Sequence, residues 1–185
     1  TSSLIGEGKS LVNILLSKTL SEMGQRVLLI DSDLRKPQIH SRLGVDNSRG
    51  LADLLEDEDH NWQNIMQNVP GYKNWFVITA GNRPPDPIRL LSSNRMHNFV
   101  NEISGSDQFD LILFDTPPIL GLSDTVLVAE HCDGFLLLVS LANVDRDLPK
   151  EAVSRVVSCG ISPLGIITNA ITYERKSNIS NYCHI

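Results

Sequence analysis

Several large protein classes are excluded by what this 185-residue sequence lacks. It contains no run of about 18 or more apolar residues and no stretch that reads as a signal peptide, so this segment does not itself cross a bilayer. Its cysteines, Cys132, Cys159 and Cys183, are odd in number, far apart and without metal-ligand spacing. That pattern suits a reducing compartment and no disulfide framework. The histidines, His40, His60, His97, His131 and His184, form neither an H-E-x-x-H pair nor a Cys/His cluster. Positive charge is also short: 16 basic against 22 acidic residues gives 16 − 22 = −6, which argues against a general nucleic-acid or anionic-membrane surface. Only local basic patches remain, with Arg35-Lys36 beside acidic residues, and Arg83 and Arg89 reading better as solvated surface charge. No internal repeat or low-complexity tract is present, and 41% hydrophobic content supports one domain with an ordinary core.

Chemistry is concentrated in three segments. In Ser3-Leu-Ile-Gly-Glu-Gly-Lys-Ser10, Gly6 and Gly8 permit backbone conformations closed to other residues. Successive N–H groups then turn toward one point, at the positive end of a helix starting near Lys9, and such a point suits a polyphosphate. Lys9 is expected to reach β- and γ-phosphates and the Ser10 hydroxyl to ligate Mg²⁺, as in a Walker A loop, although Ser3 stands where the strict motif has Gly. Val27-Leu-Leu-Ile-Asp-Ser-Asp33 and Phe109-Asp-Leu-Ile-Leu-Phe-Asp115 are aliphatic strands tipped with carboxylates. In open α/β sheets ligands gather at the carboxyl ends of strands, so Asp31, Asp33 and Asp115 are placed to meet the loop. Each taken singly also fits a helix N-cap; the trio favours magnesium and a nucleoside triphosphate.

The remaining sequence alternates strand and helix. Helical spacing runs from Lys9 to Met23 and ends at Gly24. Helices are also predicted at 50–56, 62–69, 88–103, 123–132 and 146–158, and strands at 26–30, 75–79, 111–114, 134–140 and 163–169. The fold class this implies is α/β, with a doubly wound, mostly parallel sheet of the P-loop NTPase kind. A phosphate loop should follow a strand, yet the sequence opens at Thr1 almost on the loop. We expect a fragment that starts inside its domain and lacks the first strand of the sheet, with unpaired ladder groups beside the gap.

The order of Thr-Ser-Ser-x-x-Gly-Glu-Gly-Lys-Ser, Leu-Leu-Ile-Asp-Ser-Asp-Leu-Arg-Lys-Pro, Gly50-Leu-Ala-Asp-Leu-Leu55, Gly81 through Pro87 with Leu90-Leu-Ser, and Phe-Asp-Thr-Pro-Pro resembles the catalytic domain of the bacterial tyrosine kinases of capsule and exopolysaccharide synthesis. The Pro-rich segment distinguishes that family from the related partition and septum-placement ATPases, and Leu4 stands where those relatives carry a signature lysine.

The resemblance implies an ATP-dependent protein-tyrosine kinase that regulates polysaccharide polymerisation or export. It assigns Gly6, Glu7, Gly8, Lys9, Ser10 and Leu11 to the Walker A loop and its nucleotide contacts, Asp31 and Asp33 to a second acidic motif, Asp115 to Walker B, and Asn169 to an adenine contact. An Asn closing a strand is equally a loop cap. Lys9, Asp31, Asp33 and Asp115 are the catalytic candidates, with Asp33 as base, and Ser10, Asp31 and Asp115 are the metal ligands. Residues 1–172 form the kinase domain and 173–185 a tail whose Tyr173 and Tyr182 are acceptor candidates, a thinner cluster than the family usually carries. Leu11 replaces a common Thr after the Walker A Ser.

Further implications are a membrane-spanning chain-length regulator, fused upstream or separate, homo-oligomerisation, protein-tyrosine substrates, and placement at the cytoplasmic face of the inner membrane through a region outside this chain. An alternative stays open: an ATP-hydrolysing assembly switch of the partition type, without protein kinase activity.

Overall fold

A computed structural model of the chain describes residues 1–57, 61–142 and 144–170. The central strand is β1 (Val27–Asp31), in which all five residues are buried. Val27 and Leu29 pack with Ile14 of helix α1 (Lys9–Glu22) on one face, while Leu28 and Ile30 join a second core on the other. A strand buried on both faces needs apolar side chains in both alternating sets, which is why this segment reads as a continuous aliphatic run.

Helices α2 (Ile39–Leu43), α3 (Leu51–Glu56) and α4 (Trp62–Ile65) follow, then strands β2 (Gln67–Asn68) and β3 (Trp75–Ile78). Helices α5 (Pro87–Leu91) and α6 (Asn94–Gly105) lead into β4 (Leu111–Asp115). Then come α7 (Asp124–Ala129), β5 (Phe135–Ser140), α8 (Asp147–Val157) and β6 (Pro163–Asn169). The sheet order is β2-β3-β1-β4, with β3 and β4 parallel to β1, and β5 pairs in parallel with β6. Helices lie on both faces, as a doubly wound sheet requires.

Between β4 and β5 the described residues supply no strand. A cavity of about 360 Å³ lies there, lined by residues such as Leu111, Leu113, Phe135 and Leu136. Only its upper end is bridged: the Leu138 N–H donates to the Thr1 carbonyl over 2.8 Å, and Ser2 forms an isolated parallel bridge with Leu138. Among the described residues the sheet has a gap beside β4, next to the phosphate loop. The gap also explains why Leu111 to Phe114 are only half-buried, where a run buried on both faces was expected.

Three local expectations are corrected. The helix expected over 62–69 stops at Ile65, because Gln67 and Asn68 instead pair antiparallel with Val77 and Phe76. The helix expected over 88–103 is two helices; Ser93 breaks it, its hydroxyl accepting the Met96 N–H at 3.3 Å as an N-cap. Helix α2 was missed, being too short for its periodicity to register.

The irregular region from 44 to 87 is held by a tight glycine crossing. Asp53 accepts the N–H groups of Gly50 and Asn82 at 2.8 and 3.2 Å, and Asn47 exchanges two hydrogen bonds with Gly81. Gly81 has φ +77°, and a Cβ there would stand 2.0 Å from the Asp53 carboxylate and 2.6 Å from the Gly50 nitrogen. Gly71 has a similar φ, +86°, but open space around it. Gly81→Ala is expected to destabilise the protein by about 2–4 kcal/mol and Gly71→Ala by about 1, measured by urea unfolding.

Candidate active site

The site forms where β1 and β4 end beside the start of α1. Pairing of β1 with β4 sets Asp31 directly against Asp115. The loop from Ser3 to Gly8 lies over them, with Gly6 at φ +88° and Gly8, the N-cap of α1, at +101°. Left-handed backbone at both positions turns the loop into a cradle for an anion at the helix N-terminus.

Glu7 is almost fully buried and is committed to shaping this loop. One carboxylate oxygen accepts the Leu4 N–H at 2.6 Å across the loop, and the other accepts the Ser140 N–H at 2.9 Å at the end of β5. The Asn169 amide donates to the Glu7 carbonyl at 3.0 Å, and its own oxygen accepts the Ala170 N–H at 2.8 Å. A Cβ on Gly8 would lie 2.8 Å from that amide nitrogen. Glu7 and Asn169 thus hold the loop against the tips of β5 and β6, and in this structure Asn169 behaves as a loop clasp.

The carboxylates are buried and differ in how they are satisfied. One oxygen of Asp31 accepts the N–H groups of Gln38 and Ile39 at 3.1 and 3.0 Å, capping α2, and the other accepts the Asp33 N–H at 3.3 Å. Asp31 thus satisfies the N-terminus of α2 from outside the helix, whose N-cap residue is Gln38. Asp33 accepts the Lys36 N–H at 3.0 Å through Oδ1, and Oδ2 has no hydrogen-bond partner among the described residues. Asp115 Oδ1 accepts the Asn13 amide at 2.8 Å, whereas Oδ2 is buried without a hydrogen-bond partner among them.

Burial pushes the Asp31 pKa up to about 7, with repulsion from Asp115 and Asp33 adding to it against the two α2 N–H groups. Burial also raises that of Asp115, opposed by the Ser10 hydroxyl, the Asn13 amide and the Lys9 charge. An orphaned buried carboxylate oxygen, carboxylates that resist ionisation together and a neighbouring hydroxyl form a donor set of hard oxygens that fits a magnesium ion.

A cavity of about 350 Å³ opens over this centre. Gly6, Gly8, Lys9, Ser10 and Leu11 line it together with Asp33, Arg35, Lys36, Gln38 and Arg42. The structure therefore gathers the phosphate loop and Asp33 around one space. Tyr173 and Tyr182 lie outside the described residues.

Asn13 was not found from sequence, and Arg35 was read there only as part of a basic patch with Lys36. Asn13 lies one turn beyond Ser10 on α1, a spacing that was available as a signal. Arg35 forms a bidentate ion pair with the fully buried Asp124, Nε to Oδ2 at 2.7 Å and Nη2 to Oδ1 at 3.1 Å. The separation of that pair in sequence left no local signal.

A family described as an AAA domain matches residues 5–141. The chain is 32% identical over 98% of its length to tyrosine-protein kinase YwqD of Bacillus subtilis, covering 75% of that protein. The chain belongs to the bacterial tyrosine-kinase family. It is also 33% identical over 95% of its length to tyrosine-protein kinase wzc of Salmonella typhimurium, though it spans only 24% of that longer protein. Among solved structures, the kinase domain of the Escherichia coli tyrosine kinase ETK superposes with a TM-score of 0.88 at 29% identity, covering 96% of this chain and 68% of that one. The family architecture is a nucleotide-binding P-loop fold, in agreement with the sheet and loop described above.

An acid whose folded-state pKa lies above its ordinary value of 3.8 favours the fold while protonated. That contribution is lost as pH rises through about 7. Metal-free protein is expected to lose stability between about pH 4 and 7 with a slope of up to about 1.4 kcal/mol per pH unit from this group. Asp31→Asn should flatten the slope, as read from urea midpoints across that range.

Proposed function

We infer that this chain is the catalytic domain of a protein-tyrosine kinase that transfers the γ-phosphoryl group of ATP to tyrosine hydroxyls and so regulates capsule or exopolysaccharide assembly. The observation that carries the reading is the shared cavity, lined both by the phosphate loop and by the half-committed carboxylate of Asp33.

The N–H groups of the loop and Lys9 bind the polyphosphate, and Lys9 stabilises charge on the transferring group. A magnesium ion held by Ser10, Asp31 and Asp115 would neutralise charge on the β- and γ-phosphate oxygens. Asp33 accepts the proton of the attacking tyrosine hydroxyl, whose pKa is about 10, through its free Oδ2. The tyrosine oxygen bonds to the γ-phosphorus while the bond from that phosphorus to ADP breaks, and the proton passes from Asp33 to solvent. Glu7 and Asn169 keep the loop in register for this step.

Residues 1–172 act as the kinase domain, and Tyr173 and Tyr182 of the segment 173–185 as acceptors. A membrane chain-length regulator, fused or separate, recruits the domain to the cytoplasmic face of the inner membrane and activates it, and copies of the chain associate as substrates of one another. None of the helices among the described residues is long and apolar enough to cross a membrane, which accords with anchoring by a region or partner outside them.

Incubation of the full natural polypeptide with Mg-ATP, followed by intact mass spectrometry and site mapping, should show phosphotyrosine that vanishes in Lys9→Met. ATP turnover with no phosphotyrosine on the protein or a supplied peptide would leave the assembly switch. Glu7→Ala removes the carboxylate that accepts the loop N–H of Leu4 and the N–H of Ser140. It should weaken ATP binding by about tenfold or more, measured by calorimetry.

A further inference from the structure

The lining of this cavity includes residues that phosphate binding does not require. Arg35, Lys36 and Arg42 line it together with the apolar side chains of Ile5, Leu11 and Leu122. Ile5 is 70% exposed and Leu11 45% exposed, an unusual state for large aliphatic side chains beside a polyphosphate cradle.

This part of the lining is built onto the carboxylates of the site. Lys36 donates its N–H to Asp33, and Arg42 donates through Nη2 at 2.8 Å to the Gln38 side chain, whose own N–H donates to Asp31. Acidic neighbours are mostly engaged. Asp124 is paired with Arg35, Asp86 adds a weaker attraction on Arg35, Asp31 is buried under α2, and one oxygen of Asp33 is taken by Lys36. Lys36 and Arg42 are exposed and form no ion pair among the described residues. On a chain of net charge −6, the mouth of the site is thus a local basic rim around an apolar shelf.

Resting on the kinase reading above, we propose that this rim and shelf are the acceptor-peptide subsite, and that they select tyrosines flanked by aspartate or glutamate. The shelf of Ile5, Leu11 and Leu122 receives the tyrosine ring, and Lys36 and Arg42 meet carboxylates on either side of it. The segment 173–185 is a poor match: it has Glu174 against Arg175 and Lys176, a formal side-chain charge of 2 − 1 = +1, and Tyr182 has no acidic neighbour. The complementary sequence is an acidic, tyrosine-bearing one, with Tyr173 and Tyr182 as slower acceptors.

The test uses the full natural polypeptide with Mg-ATP and peptides that differ only in having Glu or Lys on both sides of a central tyrosine, beside a peptide of residues 173–185. The Glu-flanked peptide should exceed the Lys-flanked one in kcat/KM by about tenfold, chiefly through KM. The preference should shrink at about 0.5 M salt. Lys36→Glu with Arg42→Glu should invert it while the KM for ATP stays within about twofold. Lys36→Gln with Arg42→Gln should abolish the preference without inverting it.

Equal kcat/KM for the peptides would overturn the proposal and leave the kinase reading standing. So would a change in the KM for ATP with the peptide ratio intact, since the rim would then serve the nucleotide. Hydrolysis of ATP with no peptide phosphorylated would remove the kinase reading itself, and this proposal with it.

Discussion

The in-register pairing of Val27–Asp31 with Leu111–Asp115 is the constraint on which the rest of the site depends. Parallel neighbours lie about 4.8 Å apart, and in register their matching residues point to the same side, so the last pair brings Asp31 beside Asp115. A slip of one residue would send one of those carboxylates to the opposite face. The apolar residues before them prevent such a slip, because Val27 and Leu29 fill one core and Leu28 and Ile30 the other. Burial of hydrocarbon thus enforces the approach of two carboxylates that would otherwise repel one another.

That enforced approach is costly in the absence of a cation, and the cost is visible in the raised pKa values of both carboxylates. The protein offsets it in part with the two α2 N–H groups on Asp31 and with Asn13 on Asp115. What remains is an incompletely satisfied centre next to the positive end of α1, arranged to receive metal and phosphate together. The phosphate loop depends on a second set of strand ends. Through Glu7 and Asn169 it is pinned to the tips of β5 and β6, so its shape is set by the sheet as a whole. The gap between β4 and β5 lies between those two anchorages, and Thr1 and Ser2 bridge its upper end.

The surroundings of the site show a related division of labour. Arg35 is drawn to the buried Asp124, which ties the loop after β1 to the start of α7. Lys36 and Arg42 in the same lining have no such partner among the described residues and keep their charge for the cavity mouth. The glycine crossing at Gly50 and Gly81 fixes the route into α5, whose N-cap Asp86 lies within electrostatic reach of Arg35. The Pro-rich segment therefore contributes to the site by position, through the arginine.

Much of this was legible in the residues themselves, because the signals are local. Gly6 and Gly8 must take left-handed backbone, aliphatic runs buried on two faces must be strands, and a carboxylate just after such a run must lie at the pole where ligands collect. The helix expected over 62–69 and the unbroken helix over 88–103 failed because β3 and the Ser93 cap outweighed weak local periodicity. Other features have no local signal at all. Glu7 looks like a phosphate-loop residue in sequence, and only its contact with Ser140 reveals a clasp. Asp124 and Arg35 are 89 residues apart, and their pairing depends on where α7 packs. The sequence by itself thus determined the fold class, the phosphate loop and the acidic strand ends, since each rests on backbone sterics and short-range periodicity. Tertiary structure alone decided which carboxylate oxygens stay free and which cations stay unpaired, because those depend on burial and on partners brought together from distant parts of the chain.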